Sequence, residues 1–277
     1  MINKTMPTAI QPHIDSQGSG DPALLFVHGF CCEGSDWAAV SRRLSGRYRC
    51  LCIDLPGHGR TPAADGTMAA AARAINTARH ALGLKNTVLI GHSLGCKIIR
   101  EAYRQDPDGI VGLILIDGSL YVSDRETMLA NARAAIAGGM EPFLRALFGR
   151  MFDEGALTRR QTVLIERAVA RDLDDARALF LDSVDWDTRL ARQTIEEMDV
   201  PAMVIQATTF DSHFRWRALE PAESTGLIDT MRSHVADFEA VVIPDAGHFV
   251  MDDQPDLTAA AIDRFAARVL ASKGKDA

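Results

Sequence analysis

Short, continuous apolar runs recur along the chain, most of them closed by turn-forming residues. Leu24–Val27 (LLFV) ends in His28-Gly29, Tyr48–Leu55 (YRCLCIDL) in Pro56-Gly57, and Thr87–Ile90 (TVLI) in Gly91. Val111–Ile116 (VGLILI) ends in Asp117-Gly118, Ala202–Ala207 (AMVIQA) forms a fifth run, and Phe238–Ile243 (FEAVVI) ends in Pro244-Asp245. Runs of this length without polar alternation predict strands buried on both faces, as in a parallel sheet. Between them, apolar positions recur with helical spacing over Trp37–Leu44, Met68–Leu82, Leu94–Gln105 and Ala259–Leu270. Strands separated by helix-length segments predict an α/β fold, with helices on both faces of a mostly parallel sheet.

One gap breaks the rhythm. From Ser119 to Val200 no strand pattern occurs, and charged amphipathic stretches fill the space: Glu126–Ala137, Pro142–Phe152, Arg159–Arg171, and Asp174–Met198 with a break near Asp185-Trp186. A crossover between adjacent strands needs far fewer residues. The gap therefore predicts an all-helical cap at 119–198, inserted into a core formed by 1–118 and 199–277. A length of 277 residues suits one α/β domain carrying such an insertion.

Composition narrows the function. A net charge of −7 argues against a nucleic-acid partner, whose phosphates call for a basic surface. The five cysteines form no C-x-x-C pair and are odd in number, so they are expected as free, buried thiols. The opening MINKTMPTAI lacks the apolar stretch of a secretion signal, and no apolar run nears the ~20 residues of a membrane span. The expectation is a cytoplasmic protein without membrane partners. No Gly-rich dinucleotide fingerprint and no zinc-ligand spacing appear, so no cofactor and no metal are expected. Self-association as a homo-oligomer is left open.

The candidate chemistry begins at Gly91-His92-Ser93-Leu94-Gly95, a G-x-S-x-G pentapeptide. A serine on a tight strand-to-helix turn projects its hydroxyl above the sheet edge, and small residues two before and two after let the backbone bend there. The TVLI run precedes this pentapeptide and an apolar helix follows it, which is the required context. The helix starting after Ser93 has free N–H groups at its first turn, so the Leu94 N–H is a candidate oxyanion donor. His248, in Asp245-Ala246-Gly247-His248-Phe249 just past the last strand, is placed to reach over Ser93 as a general base. The other histidines lack this context.

In order, HGF (28–30), DLPGHGRT (54–61), GHSLG (91–95) and DAGHF (245–249) resemble the α/β-hydrolase superfamily. The resemblance runs from about Leu24 to Leu270 and implies an eight-stranded, mostly parallel sheet with a helical cap between its sixth and seventh strands. Few residues precede Leu24, so the first strand is expected to be short or absent. It also implies that the Phe30 N–H is the second oxyanion donor, and that His28 holds its turn rather than reacting. Haloalkane dehalogenases and epoxide hydrolases of this superfamily carry aspartate where Ser93 stands, which disfavours both activities.

Within the resemblance the acid partner of His248 departs from pattern. The usual position lies past the seventh strand in G-x-x-D, but here the segment reads Ala207-Thr208-Thr209-Phe210-Asp211, with the carboxylate one residue late. Some superfamily members carry the acid after the sixth strand instead, where Asp117 stands. Asp117 is preferred and Asp211 is the alternative. The expected function is a serine esterase or lactonase acting on a small to medium ester-like substrate. The alternatives are a carbon–carbon bond hydrolase on the same triad, or a weakly catalytic ligand-binding protein. Trp186, Phe143, Leu147, Phe148 and Met151 are read either as an acyl pocket or as residues packing the cap onto the sheet.

Overall fold

The computed structural model describes residues 10–120, 123–152, 157–210, 216–220 and 222–273. All six apolar runs form strands. They are β2 (Ala23–Val27), β3 (Arg49–Ile53), β4 (Thr87–His92), β5 (Ile110–Ile116), β6 (Ala202–Gln206) and β9 (Phe238–Val242). A short strand, β1 (Ile14–Gln17), pairs antiparallel with β3, and every other pairing in this sheet is parallel. The sheet order is β1-β3-β2-β4-β5-β6-β9, seven strands among the described residues rather than the eight expected. A separate antiparallel hairpin, β7 (Thr208–Phe210) with β8 (Trp216–Ala218), follows β6 directly.

Alternation at single-residue spacing sorts each strand between two cores. In β2, Leu24 and Phe26 face one core, and Leu25 and Val27 face the other, all fully buried. On the first face lie α1 (Ala38–Leu44), α10 (Val250–Asp253) and α11 (Pro255–Lys273). On the second lie α2 (Met68–Ala81), α3 (Leu94–Gln105) and α9 (Gly226–His234). Burying each such Leu- or Phe-sized side chain contributes about 1.5–3 kcal/mol, so this two-sided core fixes the sheet.

Between β5 and β6 the described chain is helical: α4 (Arg125–Ala135), α5 (Met140–Gly149), α6 (Arg159–Ala170), α7 (Leu173–Leu190) and α8 (Gln193–Glu196). The break expected near Asp185-Trp186 is absent. Helix α7 runs through it, because Trp186 packs inward, donating Nε1–H to Glu101 at 3.0 Å under the Arg100 guanidinium. Helix α6 is tied to the sheet side by a charged cluster. The buried Asp36 carboxylate accepts from Arg160 at 2.7 Å and Arg167 at 2.6 Å. Arg160 also meets Asp252, and Arg167 meets Glu33. Burial alone would raise the Asp36 pKa, but the Arg167 and Arg160 charges and the Glu33 N–H outweigh it and hold the carboxyl below its ordinary value. All five cysteines are buried and free. No described helix is long and apolar enough to cross a membrane.

Candidate active site

Ser93 sits between β4 and α3 with φ 52° and ψ −116°, a conformation that costs a non-glycine residue about 1–3 kcal/mol. Its neighbours impose it. A Cβ on Gly91 would lie 2.4 Å from the Gly95 carbonyl, and one on Gly95 would lie 2.5 Å from the Val27 carbonyl. Both glycines are therefore fixed by close backbone approach. The Ser93 N–H donates to the Ile116 carbonyl at 3.0 Å, which ties the bend to the end of β5. The side chain remains partly exposed.

The turn after β2 lies against this bend. A Cβ on Gly29 would stand 3.2 Å from the Ser93 Cβ, so residues 28–30 border the serine. His28 fixes that turn from beneath. Its Nδ1–H donates to the Gly29 carbonyl at 2.8 Å, and its Nε2 accepts from the Leu55 N–H at 3.1 Å. Burial pushes the His28 pKa down to about 4, so the ring is neutral and can hold both bonds. Phe30 packs on Phe180 of α7 at 6.0 Å between ring centroids, and Phe180 on Phe143 of α5 at 4.8 Å. Leu94 opens α3, and its N–H has no acceptor within the helix.

His248 packs against His92, the residue before the serine. Its carbonyl accepts from the His92 Nε2–H at 2.8 Å, and the two rings lie 4.6 Å apart. Burial, and next the adjacent His248, push His92 well below its ordinary pKa, so it adds no charge here. The Nδ1 of His248 lies 2.7 Å from Asp117 Oδ2. An ionised carboxylate only accepts, so Nδ1 carries the proton and Nε2 keeps the lone pair. Trp216 of β8 covers the imidazole at 4.3 Å between centroids, and Phe249 meets it edge-on at 5.6 Å.

Asp117 follows β5 with φ 46°, and its carboxylate is saturated with donors. Oδ1 accepts from the N–H groups of Ala207 at 2.9 Å and Thr208 at 2.8 Å. Oδ2 accepts from the Thr208 hydroxyl at 2.5 Å as well as from His248. Asp117 thus meets His248, while Asp211 lies outside the described residues. Thr208 and Trp216 escaped the sequence reading; the β-branched and aromatic segment after Ala207 was the available hairpin signal. Of the residues read as an acyl pocket, Phe143 and Met151 pack partly buried near the site. Phe148 lies buried against Phe249, and Trp186 faces α3 instead.

A family model matches residues 24–261. The chain belongs to the alpha/beta hydrolase family. It is 37% identical over 128 residues to a 2-succinyl-6-hydroxy-2,4-cyclohexadiene-1-carboxylate synthase of Yersinia pestis, covering 44% of this chain and 46% of that one. It is 32% identical over 109 residues to an uncharacterized protein of Mycobacterium tuberculosis, covering 39% and 32%. The chain therefore spans less than half the length of these curated relatives. Among solved structures, a thermophilic esterase from Thermogutta terrifontis superposes with a TM-score of 0.75 at 24% identity, covering 96% of each chain. An enol-lactonase from Burkholderia xenovorans LB400 superposes with 0.73 at 22% identity, covering 94% of this chain and 98% of that one. These two likenesses show the shared fold.

Proposed function

We propose that this member of the alpha/beta hydrolase family is a serine hydrolase that cleaves a carboxylic ester or lactone through an acyl-enzyme. The observation that carries the reading is the 2.7 Å bond from His248 Nδ1 to Asp117, with His248 packed on His92, the residue before a serine held at positive φ. Ser93 Oγ attacks the carbonyl carbon, and the Nε2 of His248 takes its proton. Asp117 holds the ring and balances the imidazolium that forms. The N–H groups of Leu94 and Phe30 receive the developing oxyanion, the first at the positive end of α3. His248 then gives its proton to the leaving alkoxide and activates water to release the acid.

The aromatic contacts among Phe30, Phe143 and Phe180 support an apolar acyl group rather than a charged one. Helices α4–α8 serve in this reading as a cap over the carboxyl edge of the sheet. A cytoplasmic location and a small-molecule partner belong to the same proposal. The match to the Yersinia synthase supports a second reading, formation of a cyclic carboxylate at the same site. A panel of p-nitrophenyl esters and lactones, run with a Ser93→Ala control, tests the first reading. Turnover abolished by that substitution is expected; equal turnover by both proteins would overturn it.

A further inference from the structure

We infer that Thr208 is a positioning residue that sets how strongly Asp117 acts on His248. The inference rests on the serine hydrolase reading above. The Thr208 hydroxyl carries one proton and faces an ionised carboxylate, so it donates to Asp117 Oδ2 at 2.5 Å. That same oxygen receives the His248 Nδ1–H at 2.7 Å. Two donors thus divide one acceptor atom, and all three residues are buried. The carboxyl plane is fixed from the other side by the Ala207 and Thr208 N–H groups on Oδ1. The hydroxyl is therefore not needed to orient the acid. It withdraws negative charge from the side of Asp117 that faces the imidazole.

A weaker pull from Asp117 means a less stabilised imidazolium than an undivided carboxylate oxygen would give. The hairpin supports the arrangement at both ends. Thr208 pairs with Ala218 and Phe210 with Trp216, which sets the Trp216 ring on His248. Gln206, itself buried, donates to the carbonyls of both Gly118 and Thr208 and holds the hairpin base against the acid loop. Among the described residues, the titratable groups facing His248 are Asp117 from the end of β5 and His92 from β4. Trp216 and Phe249 also pack against the ring. Burial keeps His92 neutral, so Asp117 is the charge that the hydroxyl modulates.

The test uses the full chain with Thr208→Val, Thr208→Ala and Thr208→Ser. The first readout is kcat/KM against pH on a p-nitrophenyl ester. The second is the Nδ1 proton resonance of His248 in the free protein, which needs no turnover. Loss of the hydroxyl should move the acid limb up by about half to one pH unit, lowering kcat/KM below the limb by about three- to tenfold and leaving the alkaline plateau in place. The resonance should move downfield in Val and Ala and return in Ser. An unmoved acid limb, an equal loss at every pH, or an unshifted resonance in both Val and Ala would overturn the inference. If wild-type protein turned over no ester, the serine hydrolase reading would fall on its own, and the resonance would still decide the role of Thr208.

Discussion

Replacing Asp117 by Asn separates the electrostatic work of this residue from its structural work. Oδ1 accepts two backbone N–H groups, so the amide oxygen must stay there. That places the amide NH2 where Oδ2 now receives Thr208 and His248. An NH2 donates, so the facing Nδ1 of His248 must become an acceptor. The ring proton then moves to Nε2, the nitrogen that should take the proton of Ser93. A histidine locked in this wrong tautomer costs about 10⁴ in kcat in a serine–histidine–aspartate site, or roughly 5 kcal/mol of barrier. Stability should change far less. The backbone bonds persist and the Thr208 hydroxyl can rotate to accept, leaving a loss of about 1 kcal/mol. Ester hydrolysis near neutral pH measures the first effect and urea unfolding the second. Asp211→Asn serves as the control and should change kcat less than about threefold, because Asp117 already occupies Nδ1. Turnover within about tenfold of wild type for Asp117→Asn, with a large loss for Asp211→Asn, would refute the reasoning.

Two further outcomes follow from buried charge. Asp36→Asn leaves the Arg160 and Arg167 guanidiniums without their shared carboxylate; it should cost about 3 kcal/mol in urea unfolding and loosen α6 more than the sheet. Acid should also destabilise the fold. With its folded pKa lowered to about 4 from 6.5, His28 contributes stability that is complete above about pH 6.5 and is lost as pH falls toward about 4. The loss from His28 alone reaches about 2 kcal/mol near about pH 5. His58 and His92 are depressed by burial and act with the same sign, as does the lowered Asp36 carboxyl at still lower pH. Urea midpoints from neutral to acid pH measure this, and a flat profile would count against it.

Much of the architecture was legible because burial on two faces writes long apolar runs, and helix α3 begins and ends where its periodicity places it. Strand β1 was not, since IDSQ is half exposed and carries too few apolar positions to register. Helix α9 was not read either, although its Thr225 cap and the buried Leu227, Ile228 and Met231 encode it. The positions proposed for the nucleophile and the base follow from backbone constraints that only certain residues meet. The sequence preferred Asp117 to Asp211 by its place after a strand alone. The contact of Asp117 with His248 crosses the sheet edge, which spacing along the chain does not record. The Thr208 bond is further removed still, because it joins the ends of β5 and β6 through a hydroxyl that a turn could carry for many reasons.

The most direct test treats the pure protein with a fluorophosphonate at stoichiometric excess and reads the intact mass and the modified peptide. A single adduct on Ser93, with none on the Ser93→Ala protein and ester turnover lost in parallel, is the predicted result. An adduct on a different side chain, or full ester turnover by protein that lacks the Ser93 hydroxyl, would contradict the account.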